Sequence, residues 1–274
     1  LRTSFELLPG MQLPIQVMLE HTGPVWREAD LGGEPAELGN LEKLEASVPF
    51  HRGETPHVRL TLASIDPADH ALVVTQPALC SDPRSFVNLA YELSKLYEIE
   101  LHGLEPLPEP LQYVQFSEWH NDLAVEEASA EGREFWRKRL DTPNEMALPF
   151  ESRSDGSPDL SVAWSLPTDL VKGALRLTGE QGLPDLLLGC WALLLSRIAG
   201  NEEVTMWCLF DGRKYDELRD ALGLFARYLP LCLWFPEGMS AVRLIKRMGE
   251  VTREGAEWQE YFGLDGDRLP ETFL

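Results

Sequence analysis

The sequence predicts an α/β fold built as two related lobes. Short apolar or alternating runs, bounded by Pro, Gly and Asp, interleave with stretches of helical periodicity in both halves of the chain. Between the halves, residues 148–158 are polar and carry Pro149, Gly156 and Pro158, the composition of a linker. The apolar fraction of 44% over 274 residues is enough for a real core. These observations divide the chain into an N-terminal lobe at 1–150, a linker at 151–159 and a C-terminal lobe at 160–274.

In the first half, residues 15–20 and 57–65 read as strands, and 72–75 follow as a buried strand after the turn at Asp66-Pro67-Ala68-Asp69. A helix is predicted over 83–97, with Phe86, Leu89, Ala90, Leu93 and Tyr97 on its buried face. A connector with Pro106, Pro108 and Pro110 comes next, then amphipathic helices at 111–124 and 128–140. The second half opens with a short strand at 160–166 and a helix at 167–179 capped by Thr168. Pro184 suits the first turn of another helix, 185–199, which is apolar nearly all round and reads as a core helix. Residues 204–210 and 228–235 read as buried strands, and Ser240 caps a last helix reaching about Phe262.

The chain carries 45 Asp and Glu against 24 Lys and Arg, a formal net charge of −21. A polyanion repels a phosphate backbone, so nucleic acid is excluded as the expected partner, and the acidity reads as solubility. No run approaches the roughly 18 consecutive apolar residues of a membrane span, and no signal peptide is seen. The chain opens on Leu1 inside what reads as the middle of a motif, the expectation for a piece of a longer polypeptide. Cys80, Cys190, Cys208 and Cys232 are dispersed, which argues against both a zinc site and a disulfide framework. His21, His51, His57, His70, His102 and His120 stand apart, so no metal is expected. The expected compartment is the cytoplasm.

The stretch Leu72-Val73-Val74-Thr75-Gln76-Pro77-Ala78-Leu79-Cys80-Ser81-Asp82-Pro83 is the most informative. It reads as a strand that breaks at Pro77 and feeds a helix, a common mount for catalytic groups. The loop offers one carboxylate and one thiol, with no histidine between residues 71 and 101. Leu79 suggests a buried setting for Cys80, which favours a structural thiol over a reactive one.

Several motifs occur in order along the chain. Leu1-Arg2-Thr3-Ser4-Phe5 is similar to the end of Arg-His-Glu-x-Leu-Arg-Thr-x-Phe. Tyr113-Val114-Gln115-Phe116-Ser117-Glu118-Trp119 is similar to Tyr-x-Asp-Phe-Ala-x-Trp, with Gln115 at the Asp position. Phe135-Trp136, Leu140 and Leu148-Pro149-Phe150 follow the pattern Tyr-Trp…Leu…Leu-Pro. Phe210-Asp211-Gly212-Arg213 resembles a strand and loop ending in Arg. Gly223-Leu224-Phe225-Ala226-Arg227-Tyr228-Leu229-Pro230-Leu231 resembles Gly-x-Phe-x-Asn-x-Leu-Pro-Leu, with Arg227 for Asn. Trp258-Gln259-Glu260-Tyr261-Phe262 is similar to His-Gln-x-x-Pro-Phe, without its His and Pro. Together these resemble the condensation domains of nonribosomal peptide synthetases.

The resemblance implies two lobes like chloramphenicol acetyltransferase in a V-shaped pseudo-dimer, with a tunnel between them. The first segment of the N-terminal lobe and the last strands of the C-terminal lobe are then missing from this chain. Tyr113, Trp119, Phe225, Trp258 and Gln259 become the tunnel or motif-matching residues. No cofactor is bound directly; substrates arrive on the phosphopantetheine of peptidyl or acyl carrier proteins. Adjacent synthetase domains, and a tailoring enzyme, are the other implied partners.

In that family the loop carries His-His-x-x-x-Asp-Gly, whose second His supports peptide-bond formation. Aligned on Asp82, the two His positions hold Pro77 and Ala78, and Pro83 takes the Gly position. The role implied for Asp82 is structural, in a buried ion pair expected with Arg213. Asp82-x-x-Ser85 also matches half of the heterocyclisation motif Asp-x-x-x-x-Asp-x-x-Ser, but Pro77 stands at its first Asp. Two readings follow: a condensation-like domain that has lost catalysis and acts as a structural or recruiting platform, and an acyl-transfer enzyme with a rearranged site using Asp82, Cys80 or a distant residue.

Overall fold

A computed structural model of the chain describes residues 2–11, 15–20, 22–50, 57–140, 148–149 and 163–263. Two compact units are present. The first comprises Leu1–Tyr113 with Asp220–Phe225, and the second Val114–Arg219 with Ala226–Leu274. The short segment Asp220–Phe225, far along the sequence, is thus counted with the first unit. The linker expected at 151–159 lies outside the described residues.

The first unit holds β1 (Thr3–Glu6), β2 (Ile15–Met18), β3 (Val25–Asp30), α1 (Leu38–Ser47), β4 (Arg59–Ser64), β5 (His70–Thr75) and α2 (Pro83–His102). Strands β1 and β2 form an antiparallel pair. The other sheet has the order β3-β4-β5, with β3 parallel and β5 antiparallel to β4. Strand β4 alternates buried and half-buried residues, but the buried face is Arg59, Thr61 and Ala63, while Leu60 and Leu62 are only half-buried. Strand β5 is less buried than expected: Leu72 is exposed and Val73, Val74 and Thr75 are half-buried. Strand β3 and helix α1 carried no clear periodic signal. All of β3 except Ala29 is exposed, and α1 buries only Glu45.

The helix predicted at 83–97 runs on to His102, and its buried face differs from the expected one. Ser85, Asn88 and Leu89 are buried, while Phe86 and Tyr97 are exposed. Hydroxyl and amide groups on that face bond the backbone of Asp220–Phe225, so the buried side of α2 is partly polar. A hydrophobic-periodicity argument cannot find such a face.

The second unit holds α3 (Tyr113–Val125, whose first residue belongs to the first unit), α4 (Ala130–Leu140), α5 (Thr168–Ala199), β6 (Glu203–Phe210), β7 (Arg227–Trp234) and α6 (Ala241–Glu257). A 3-10 turn, Gln259–Tyr261, follows α6. Strands β6 and β7 pair antiparallel, with Val204 opposite Leu233 and Met206 opposite Leu231. Their inner faces join Ala192, Leu244, Met248 and Val251 in one core cluster. Trp136, Leu229 and Phe262 form another. Ser240 caps α6 as predicted, its hydroxyl accepting the Arg243 amide at 3.4 Å.

Of the strand expected at 160–166, residues 160–162 lie outside the described residues and 163–166 have no regular structure. The helices expected at 167–179 and 185–199 are two parts of α5, broken at Gly179 (φ 68, ψ 176), a conformation glycine adopts without steric cost. Thr168 does not cap α5: it is the first helical residue, and Pro167 occupies the cap position with no side-chain bond. Residues 185–199 are not buried all round. Leu188, Leu193 and Leu195 pack on the core, whereas Leu187, Trp191, Leu194 and Ile198 are exposed, because α6 and the sheet cover one side of the helix. By length and composition alone, Gly182–Ala199 is apolar enough to cross a membrane.

Candidate functional site

The loop between β5 and α2 is set by local chemistry. Pro77 ends the strand, and its carbonyl accepts the Cys80 amide at 2.9 Å to close a turn. Asp82 then takes an extended conformation (φ −113, ψ 172) and caps α2, with Oδ1 accepting the Ser85 amide at 2.8 Å. Pro83 occupies the first helical turn, where a missing N–H costs nothing.

The other oxygen of Asp82 reaches further. Oδ2 accepts the Phe225 amide at 2.9 Å. Ser85 Oγ donates to the Gly223 carbonyl at 2.6 Å and accepts the Gly223 amide at 3.0 Å. One turn on, Asn88 Nδ2 donates to the Ala221 carbonyl at 3.4 Å. Asp82, Ser85 and Asn88 are spaced by three, so one face of α2 holds Asp220–Phe225 by its backbone. Asp82 is 3% exposed and Ser85 2%. Backbone N–H groups that donate to a buried carboxylate compensate part of its charge.

Tyr113 completes this arrangement. Its hydroxyl donates to the Leu224 carbonyl at 3.1 Å, and its ring meets Phe225 edge-on at 5.1 Å. Gly223 sits at φ 156 against the Tyr113 ring, so close that an added Cβ would lie 2.2 Å from Cδ2. Tyr113 and Phe225, expected as motif-matching residues, are therefore brought together with Asp82.

At the loop tip, Ala78 and Leu79 are exposed, which corrects the buried setting expected from Leu79. Pro77 and Cys80 are half-buried. Burial pushes the Cys80 thiol above its ordinary value, away from the thiolate a nucleophile needs.

The remaining motif-matching residues lie in the second unit. Trp119 meets Tyr215 edge-on at 5.5 Å. Trp258 stacks on Phe135 at 5.5 Å, and its carbonyl accepts the Trp136 indole N–H at 2.7 Å. Gln259 is buried. Arg213 has a side chain 1% exposed, with Nη1 2.7 Å from Asp211 Oδ1. His120 stacks on Phe116, and its Nε2 lies 2.9 Å from the Glu260 carbonyl, so Nε2 carries the proton in the neutral ring. Burial, then the Arg227 guanidinium, hold this imidazole below its ordinary range.

From the sequence, Ser85 enters only through the half-matched heterocyclisation motif, and Asn88 has no assigned role. The signal that could have found them is the spacing Asp82-x-x-Ser85-x-x-Asn88, a polar row at helical spacing along one face of α2.

The condensation domain family model matches residues 1–264. Bacitracin synthase 1 of Bacillus licheniformis is 27% identical over 271 residues, which is 95% of this chain and 5% of that synthetase. Gramicidin S synthase 2 of Brevibacillus brevis is 28% identical over 243 residues, 84% of this chain and 5% of its own length. The chain thus spans a small fraction of these relatives.

Among solved structures, the condensation domain of the Monacolin K polyketide synthase MokA matches with a TM-score of 0.80 at 14% identity, covering 98% of this chain and 65% of that one. The SgcC5 protein from Streptomyces globisporus matches at 0.78 and 23% identity, covering 96% and 61%. The X-domain from teicoplanin biosynthesis matches at 0.76 and 20% identity, covering 94% and 60%. At these identities the likeness establishes the fold, one of mixed helix and sheet. Matched over nearly its whole length and sharing that fold, the chain belongs to the condensation domain family.

Proposed function

We propose that this chain is a condensation domain that has given up amide formation and serves a nonribosomal peptide synthetase as a structural or recruiting platform. The observation that carries this reading is the contrast within one loop. Asp82 is buried and accepts the Ser85 and Phe225 backbone amides, whereas the positions aligned with the family's histidines hold Pro77 and Ala78. Amide formation needs an acceptor amine to lose a proton as its nitrogen attacks a thioester carbonyl and the C–S bond breaks. Pro77 and Ala78 supply neither a base nor a side-chain donor. The raised Cys80 thiol does not replace them.

In this reading the chain forms the V-shaped pair of lobes that the resemblance implies, at 1–150 and 160–274 about a linker at 151–159. It works in the cytoplasm, beside carrier proteins that bear substrates on phosphopantetheine, adjacent synthetase domains and a tailoring enzyme. Asp82 and Arg213 form a buried ion pair; their burial supports this, at 3% for Asp82 and 1% for the Arg213 side chain. Losing one member of such a pair should cost roughly 3–5 kcal/mol. A double-mutant cycle of Asp82→Asn with Arg213→Met tests the pair, and additive losses would refute it.

The functional test is a condensation assay with aminoacyl-loaded carrier proteins and the full synthetase module. No amide product, together with capture of a carrier or tailoring protein, is the expected result. Turnover that disappears in Cys80→Ala or Asp82→Ala would overturn it and establish the rearranged enzyme.

A further inference from the structure

The end of α6 is held by side chains from three other elements. Lys214, in the loop after β6, donates to the Glu257 carbonyl at 2.7 Å. Arg227, at the start of β7, donates to the Gln259 and Glu260 carbonyls at 3.3 and 3.4 Å. His120, on α3, donates to the Glu260 carbonyl at 2.9 Å. Cations and donors at a helix C-terminus meet its unpaired carbonyls and the negative end of its dipole.

The Glu260 side chain does not fit this pattern. The residue is 3% exposed, and among the described residues neither carboxylate oxygen receives a hydrogen bond of good geometry, its own backbone amide and Lys214 being the nearest donors. Lys214 Nζ stands 3.6 Å from Oε2, an ion-pair distance too long for a hydrogen bond, while two of its three donors go to Glu257. An ionised carboxylate in such a place is costly, whereas a neutral carboxyl is tolerated.

We propose that Glu260 is a proton-controlled latch for the turn Gln259–Tyr261: with its carboxyl neutral the turn stays docked, and ionisation draws the side chain toward water and undocks the turn. The turn seats tightly when docked. Tyr261 packs on α4 at Gly132, where an added Cβ would lie 2.2 Å from the ring, and Trp136 Nε1 holds the Trp258 carbonyl just before it. The groups facing Glu260 are Lys214 and Tyr215 after β6, Arg227 on β7, His120 on α3, Glu257 on α6 and Tyr261 in the turn; α4 contributes Gly132 and Trp136, which do not titrate.

Burial holds the Glu260 carboxyl above the ordinary carboxylate range, and its own backbone amide, Lys214 and Arg227 reverse this only in part. A raised value in the docked state means that docking takes up a proton. The Glu260 contribution is therefore full below the ordinary carboxylate value and is lost as pH rises through the raised one. His120 has the opposite sign: its depressed value makes its contribution full above the ordinary imidazole value and lost as pH falls through the depressed one. Trp258 and Gln259, which match the late family motif, ride on this turn. Its state sets where they sit, whether or not the domain catalyses.

Hydrogen exchange of the segment 257–263, corrected for intrinsic rates, tests the latch in the whole protein. The ratio of protection in wild type to that in Glu260→Gln should fall severalfold between pH 5 and 8, which cancels the His120 contribution. A ratio constant with pH would overturn the latch. If Glu260→Gln does not fold, Lys214→Gln serves: loss of the nearby cation leaves the docked carboxyl higher still, so the fall in protection should move to higher pH. An unchanged midpoint would overturn the proposal equally.

Discussion

Asp82 Oδ2 accepts the backbone amide of Phe225 at 2.9 Å, from a residue 143 positions later in the chain. The same carboxylate caps α2 through Ser85. A helix start and a distant segment thus depend on one side chain. Asp82→Ala removes a cap, worth about 1 kcal/mol, and a charge-assisted bond to a buried amide, worth about 1.5–3 kcal/mol. Urea unfolding should show a combined loss of about 3 kcal/mol. Ser85→Ala should cost less, because it leaves the carboxylate bonds in place.

Gly223 is predicted to tolerate no side chain. At φ 156, with the Tyr113 ring where a Cβ would go, Gly223→Ala must displace either the ring or the strand of backbone held by Asp82 and Ser85. A loss of about 1–3 kcal/mol is expected. Combining it with Tyr113→Ala should cost less than the two single losses added, a non-additivity that a double-mutant cycle reads directly.

Glu45 on α1 is, like Asp82, a buried carboxylate of the first unit. Arg59 Nε lies 3.3 Å from Oε2, while the Thr61 hydroxyl donates to Oε1 at 2.8 Å and Arg27 reaches Oε1 at 3.1 Å. Burial alone would raise this carboxyl, but Thr61, Arg27 and Arg59 outweigh it and hold it below the ordinary range. A depressed value contributes stability that is present above the unfolded value and lost as pH falls through the folded one. The stability gap between wild type and Glu45→Gln should therefore close as pH drops below the ordinary carboxylate value. At neutral pH, Arg59→Ala leaves a buried charge short of its partner and should cost roughly 3–5 kcal/mol by chemical unfolding.

The cysteines should alkylate in an order set by burial. Cys190 is exposed on α5. Burial pushes Cys208 up to about 11 and Cys80 above its ordinary value. Brief treatment with iodoacetamide at pH 8, read by peptide mass spectrometry, should label Cys190 first. Preferential labelling of Cys80 would reveal an activated thiol in the loop.

Strands β6 and β7 lie within a residue of their predicted bounds because their apolar runs are bounded by Gly, Pro and Asp and each buries a face in the core. Helix α6 is legible from its Ser240 cap and strong amphipathicity. Helix α1 and strand β3 were not, since they are mostly exposed and α1 buries a charged residue. The turn, cap and helix around Asp82 followed from local chemistry, but its partner Phe225 did not: a backbone amide carries no side-chain signature.

The sequence by itself determined most of the helices and strands from β4 onward, the family resemblance and the loss of both histidines from the loop. Those follow from residue type and spacing, which act locally. Only the tertiary structure decided that a polar row on α2 holds Asp220–Phe225, that α5 buries one side rather than all of its surface, and that Glu260 is buried with Lys214 at a long ion-pair distance. Each depends on which distant backbone or side chain arrives at a surface, and burial and hydrogen bonding are settled only when that neighbour is in place.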